Sequence, residues 1–266
     1  MKKLIATDMD GTFLRPDGTY DKKRFARLLP QLTKAGYLFA AASGRSLLTL
    51  RELFHDVQDQ MAFIAENGCV VENKGTILFE AEMPPKDYHL IVAELANQPD
   101  CLGYLLSGEK GAYAPLDARP DYLKRVSHFY SNVQTVDIHQ ISDKIIKVTA
   151  QFQHDKIHAF TAVLNRKLSD FQAVVTGFDG MDIIPKAYNK ATGLAILCDT
   201  LGLSGEDVYA FGDNYNDLEM LAFAGTALVT DNGVAKAKSL AQEIIGANST
   251  DAVLDYLEGL VAHVKD

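Results

Sequence analysis

Short apolar runs and helical patterns alternate along the first eighty residues. Leu4 to Thr7 and Leu38 to Ala42 read as buried strands, while Asp21 to Ala35 and Leu47 to Val57 read as helices, giving βαβα and so a parallel sheet. Gly36 stands where a helix C′ residue belongs, and Pro30 is expected to kink or split the helix before it. A third strand, Phe63 to Ala65, is followed by Glu66-Asn67-Gly68, Val70 to Glu72, a Lys74-Gly75 turn and Thr76 to Phe79. That order reads as an antiparallel flap, where parallel winding pauses.

From Pro84 to Pro185 the texture changes to mixed helices (Lys86 to Ala96, Tyr122 to Tyr130, Lys156 to Leu168) and strands such as Leu102 to Leu106. The first texture then resumes, with helix Lys190 to Leu201, strand Val208 to Phe211, helix Leu218 to Phe223 and strand Ala227 to Val229. The expected architecture is a discontinuous α/β core, 1–83 and 186–266, with an α+β domain inserted at 84–185. Pro84-Pro85 and Pro185 punctuate the joints.

Composition narrows the function classes. The 266 residues carry 26 Lys and Arg against 35 Asp and Glu, a formal charge of −9, which disfavours nucleic acid and anionic membranes as partners. Three scattered cysteines, Cys69, Cys101 and Cys198, without a CxxC pair suit free thiols in a reducing compartment. After Met1-Lys2-Lys3 only Leu4, Ile5 and Ala6 are apolar, too few for an export signal. The longest apolar run, Tyr37 to Ala42, is far below the ~18 residues of a membrane span. A cytoplasmic protein, monomeric or weakly dimeric, is expected.

Three strands end in chemistry. The first delivers Asp8-Met9-Asp10-Gly11-Thr12 at its carboxyl end, where open α/β sheets hold their ligands. The second ends in Ser43-Gly44-Arg45 and enters a helix, so that a hydroxyl and fresh N–H groups fall beside the first site. The strand Val208 to Phe211 ends in Gly212-Asp213-Asn214-Tyr215-Asn216-Asp217. Singly, these are an Asp-rich turn, an N-cap serine and another acidic turn; three at one sheet edge are hard to ascribe to accident. Crowded carboxylates repel, so burying them calls for a cation, and oxygen ligands alone select a hard one, Mg²⁺ first. A phosphate would complete such a site, with a lysine nearby. Lys190 is the candidate from its spacing to Gly193, and Lys186 is its competitor.

These segments resemble the four motifs of the haloacid dehalogenase superfamily, in the order and spacing of its Cof-type phosphatases with an inserted type IIB (C2B) cap. The resemblance implies a Rossmann-like core and hydrolysis of a small phosphomonoester, a sugar phosphate or related metabolite, with the site in the cleft beneath the cap. By it, Asp8 is the nucleophile that becomes phosphorylated and Asp10 the general acid and base. Mg²⁺ is held by the Asp8 carboxylate, the Asp10 carbonyl and Asp213, with Asp217 supporting. Ser43, the Gly44 N–H, Lys190 and Asn216 grip phosphate. Arg45, Asp182 and Tyr188 are candidate substrate contacts. Tyr215 departs from relatives that carry a small or acidic residue there. A sugar phosphomutase and a non-catalytic binder of phosphorylated metabolites are the alternatives.

Other signals carry less. His154 and His158 have the i, i+4 spacing of helical metal ligands, but Asp155 stands where HExxH has glutamate, so a solvated helix is the favoured reading over zinc. The remaining histidines, His55, His89, His128, His139 and His263, show no convergent pattern. Cys198 reads as a packed small residue, and Gly103, Gly108 and Gly111 as turns.

Overall fold

The computed structural model describes residues 3–154, 156–176 and 179–262. Met1, Lys2, Asp155 and His263 lie outside them. In chain order the strands are β1 (Lys3–Thr7), β2 (Tyr37–Ala42), β3 (Ala62–Ala65), β4 (Val70–Asn73), β5 (Thr76–Glu80), β6 (Cys101–Gly108), β7 (Ala112–Pro115), β8 (Val133–Val136), β9 (Ile145–Phe152), β10 (Phe171–Thr176), β11 (Gly180–Pro185), β12 (Val208–Gly212), β13 (Thr226–Thr230) and β14 (Glu243–Ile245). The helices are α1 (Lys22–Lys34), α2 (Leu47–Leu53), α3 (Pro85–Ala96), α4 (Pro120–Val126), α5 (Ile157–Lys167), α6 (Lys190–Leu201), α7 (Leu218–Phe223), α8 (Ala235–Lys238) and α9 (Ala252–Ala262). None is long and apolar enough to cross a membrane.

Two compact units form. The first takes the chain up to Ser43, Phe54–Phe79 and everything described from Asn189 onward; the second takes Gly44–Leu53 and Glu80–Tyr188. Helix α2 therefore groups with the inserted segment, a membership its apolar spacing does not announce. The reason is local: Thr49 Oγ1 donates to the Phe129 carbonyl at 3.2 Å, and Lys147 Nζ to the Gly44 carbonyl at 2.5 Å.

The sheet of the first unit runs β14-β13-β12-β1-β2-β3-β4-β5, parallel from β14 to β3 and antiparallel at β3/β4. Read outward from β1, the chain winds one way through β2 and β3 and the other way through β12, β13 and β14. The reversal falls between β1 and β12, the place where doubly wound sheets bind their ligands. Both faces are covered, which is why these strands read as unbroken apolar runs. In β2, Leu38, Ala40 and Ala42 face a cluster containing Leu194, Leu197 and Cys198 of α6. Phe39 points the other way, its ring 4.8 Å from that of Phe25 and 5.5 Å from that of Phe13.

Helix α1 is one element through Pro30, so the helix is not split there. The proline ring is exposed, while Phe25, Leu28, Leu29 and Leu32 are buried along one face. Losing one hydrogen bond on the solvent side costs less than giving up that face. Gly36 has φ +92°, as a C′ glycine should.

The second unit is a six-stranded sheet, β10-β11-β9-β6-β7-β8, antiparallel except at β7/β8. Tyr88, Ile91, Val92 and Leu95 of α3 and Ile157 and Leu164 of α5 pack in one core with Val148, Ala150 and Ile183. Tyr122 and Val126 of α4 pack with Leu105 and Ala114. Helices α2 and α4 end earlier than their sequences suggest, at Leu53 and Val126. Helix α5 begins at Ile157, so His154 precedes it and shares no helix face with His158; both histidines are exposed.

Candidate active site

Strand β1 ends at Thr7 and strand β12 at Gly212, so Asp8 and Asp213 leave adjacent parallel strands at the same edge, one on each side of the switch point. The Asp8 N–H donates to the Phe211 carbonyl at 2.9 Å, extending the ladder by one rung and fixing where the carboxylate emerges. Gly11, with φ +92°, turns the chain back over the site, and a Cβ there would stand 2.4 Å from Asp213 Oδ2. Thr12 Oγ1 donates to Asp213 Oδ1 at 2.9 Å.

Lys190 opens α6, whose start is set by Asn189: its side chain accepts from the Thr192 N–H at 3.0 Å while Thr192 Oγ1 accepts from the Asn189 N–H at 2.9 Å. The ammonium is 0% exposed and lies 2.5 Å from Asp8 Oδ1 and 2.7 Å from Asp217 Oδ1. Lys186 is exposed and belongs to the other unit. Asp217 turns its second oxygen to the N–H groups of Asp213, at 2.9 Å, and Asn214, at 3.0 Å. Both of its oxygens are thus engaged by protein donors.

Three buried carboxylates around one ammonium leave excess negative charge. Burial pushes the Asp8 carboxyl well above its usual range, with Lys190 opposing and Asp217, Asp213 and Asp10 adding repulsion. Asp213 is pushed up to about 6, chiefly by burial and then by Asp217, against the opposing pull of Thr12, Lys190 and a hydrogen bond shared with Asp8. Burial alone would lower Lys190, but Asp217 and Asp8 hold its ammonium above the ordinary value. A hydrogen bond between two carboxyl groups needs a proton, and a cation can take that proton's place. Asp8, Asp213 and Asp217 offer ligand oxygens within 4.8 Å of one another, the one such group among the described residues. The all-oxygen donor set suits a hard divalent ion.

A family comparison fits this edge. Residues 5–257 match the haloacid dehalogenase-like hydrolases. The chain belongs to that family. The 5-amino-6-(5-phospho-D-ribitylamino)uracil phosphatase YbjI of Escherichia coli (strain K12) is 31% identical over 264 residues, covering 98% of this chain and 97% of that protein. The HMP-PP phosphatase of Cronobacter sakazakii (strain ATCC BAA-894) is 26% identical, covering 99% and 97%. The structure of SMU.1108c from Streptococcus mutans UA159 matches with a TM-score of 0.93 at 30% identity, covering 98% of this chain and 100% of that one.

The other expected residues of this hydrolase fall as follows. Asp10 is exposed, beyond the buried triad. Ser43 is buried at the end of β2, its N–H donating to the Ile64 carbonyl at 2.9 Å. Asn216 is half-buried, and its Nδ2 donates to Asn67 Oδ1 at 3.2 Å. Tyr215 is exposed to 52%. Gly44, Arg45, Asp182 and Tyr188 belong to the second unit. There the Arg45 guanidinium lies 5.9 Å from the centre of the Phe129 ring, and the Tyr188 carbonyl accepts from Gln172 at 3.0 Å. Asp182 is buried 3.1 Å from the ammonium of Lys147, itself wholly buried. Cys198 is packed on the buried face of α6, its thiol pushed up to about 11 by burial.

Sequence reasoning gave no role to Thr12, Asn67 or Lys147. Thr12 closes a motif whose acids drew the attention. Lys147 left one usable signal, a lone cation inside the apolar run Ile145-Ile146-Lys147-Val148, since an unpaired lysine is not buried there.

Proposed function

We propose that this hydrolase is a Mg²⁺-dependent phosphatase that cleaves small phosphomonoesters, sugar phosphates or related metabolites, through an aspartyl-phosphate at Asp8. The observation that carries it is the buried ammonium of Lys190 held at 2.5 Å from Asp8 at the switch point, where Asp213 adds a second candidate ligand for a divalent cation. Two of the relatives are named for different compounds, 5-amino-6-(5-phospho-D-ribitylamino)uracil and HMP-PP, so the proposed class is the phosphorylated metabolite and no single compound.

In the proposed cycle Asp8 attacks phosphorus in line, and the bond from phosphorus to the ester oxygen breaks. The departing alkoxide takes a proton from Asp10, which stands exposed two residues on, where a leaving group can reach it. Asp10 then takes a proton from water; the water oxygen bonds to phosphorus, the bond to Asp8 breaks, and inorganic phosphate leaves. Mg²⁺, bound by the Asp8 and Asp213 carboxylates and the Asp10 carbonyl, would supply positive charge to the transferring group. Asp217 supports, because its oxygens already hold Lys190 and two backbone N–H groups. Lys190, Ser43, the Gly44 N–H and Asn216 grip the phosphoryl oxygens. Arg45, Asp182 and Tyr188 are proposed to contact the rest of the substrate.

The test is an acid quench during turnover of a ³²P-labelled hexose phosphate with Mg²⁺. Acyl-linked label on Asp8, absent from Asp8→Asn, together with free phosphate in solution, is expected. Turnover with no label on Asp8 overturns the mechanism, and isomer interconversion without free phosphate makes the protein a mutase.

A further inference from the structure

The turn after β3, Glu66-Asn67-Gly68, has no part in the cycle above, yet its backbone is unusual. All three residues have positive φ, +52°, +54° and +96°, and all three are buried. For glutamate that conformation is strained, and strain of this kind persists only where the surroundings hold it in place. What surrounds it is the site.

The Asn67 N–H donates to the Ser43 carbonyl at 2.9 Å, and Asn67 Oδ1 accepts from Asn216 Nδ2 at 3.2 Å. Gly68 lies so close to the start of α6 that a Cβ on it would stand 1.9 Å from the Asn189 carbonyl oxygen and 3.2 Å from the Lys190 nitrogen. From the other side, a Cβ on Gly193 would stand 3.0 Å from the Gly68 Cα. One turn therefore touches each of the three segments that carry Ser43, Lys190 and Asn216. Two glycines allow the close approach, and an asparagine, the side chain best suited to a left-handed backbone, makes the polar links.

We infer that Asn67 is a positioning residue for the phosphoryl group, holding the Asn216 carboxamide and the Ser43 strand end in the register in which both grip phosphate. A carboxamide nitrogen has two N–H groups, and the bond of one to Asn67 fixes the plane in which the other points. Asn67 acts through Asn216 and does not touch substrate. The inference rests on the phosphatase reading.

A double-mutant cycle tests it, with kcat/KM for Mg²⁺-dependent hydrolysis of p-nitrophenyl phosphate and the inhibition constant of inorganic phosphate as readouts. Asn67→Gly keeps the positive φ and removes the carboxamide. Alone it should lower kcat/KM by about fivefold and weaken phosphate inhibition by a similar factor, the measure of one positioning hydrogen bond. In an Asn216→Ala background the same change should cost less than about twofold, since the group it positions is gone. Equal losses in both backgrounds, or no loss in the single variant, overturn the inference while leaving an active phosphatase. A wild-type protein that neither hydrolyses the ester nor is affected by phosphate overturns the phosphatase reading and this inference with it. Should Asn67→Gly fail to fold, the same cycle is run with Asn67→Ser, whose side chain is too short to reach Asn216.

Discussion

Replacing Lys190 by methionine, a chain of similar length without charge, should destabilise the metal-free protein in a manner that depends steeply on pH. The ammonium is wholly buried between Asp8 and Asp217, at 2.5 and 2.7 Å, with Asp213 close by. Removing one partner of a buried ion pair typically costs about 3–5 kcal/mol, because the other charge is left uncompensated. For a chain of this size that corresponds to a fall in Tm of about 10 °C. The sign of the pH effect follows from the carboxyls. Lys190 lowers both Asp8 and Asp213, so without it their raised values climb further, Asp213 from about 6. A carboxyl whose value is raised on folding stabilises the native state at low pH and ceases to do so as pH rises through that value. The penalty should therefore be largest near pH 8 and much reduced near pH 5, where the acids carry protons and need no ammonium. Thermal unfolding of both proteins across pH 5 to 8, followed by near-ultraviolet circular dichroism without divalent ions, measures it. An equal Tm difference at both ends of the range, or none at pH 8, refutes the electrostatic account of the site.

The same linkage operates in the native chain. Asp213, with its value near 6 against an ordinary 3.8, contributes stability that is full below about pH 4 and lost as pH rises past 6, on the order of 3 kcal/mol. Binding of Mg²⁺ should accordingly displace protons, more of them per ion at pH 6 than at pH 8; calorimetry in buffers of different ionisation enthalpy that finds none at pH 6 contradicts this. Asp8→Asn should abolish phosphate release and Asp10→Asn slow it by about 10²–10⁴-fold, while Lys186→Ala leaves it within about twofold, all read by phosphate assay; an unchanged rate in either aspartate variant removes its role. Gly11→Ala puts a Cβ at 2.4 Å from Asp213 Oδ2 on a backbone with φ +92°, so it should cost about 1–3 kcal/mol and weaken Mg²⁺ binding. Undiminished Mg²⁺ affinity in a Gly11→Ala calorimetric titration refutes that placement.

What could be read in the chain, and what could not, divides along a physical line. The parallel sheet was legible because a strand buried on both faces must be apolar at every position, as Leu38 to Ala42 is, and because a polar residue at its carboxyl end then has one place to go. Asp8 and Asp213 stand at one edge for that reason, 205 positions apart in sequence yet on neighbouring strands. Features fixed by partners distant in the chain left weaker traces. Pro30 suggested a broken helix because local rules weigh one lost hydrogen bond and take no account of the four apolar side chains buried beneath it. Lys147 and Asp182 meet across β9 and β11, a pairing that only the antiparallel register reveals. The turn at Asn67 is the sharpest case. Its sequence, Glu-Asn-Gly, reads as part of an antiparallel flap and nothing more, since what the turn holds, the Ser43 carbonyl and the Asn216 amide, comes from positions 24 residues before and 149 after it. Chemistry that needs particular side chains at strand ends is thus legible from local pattern, whereas the groups that hold those side chains in place are specified by tertiary contact alone.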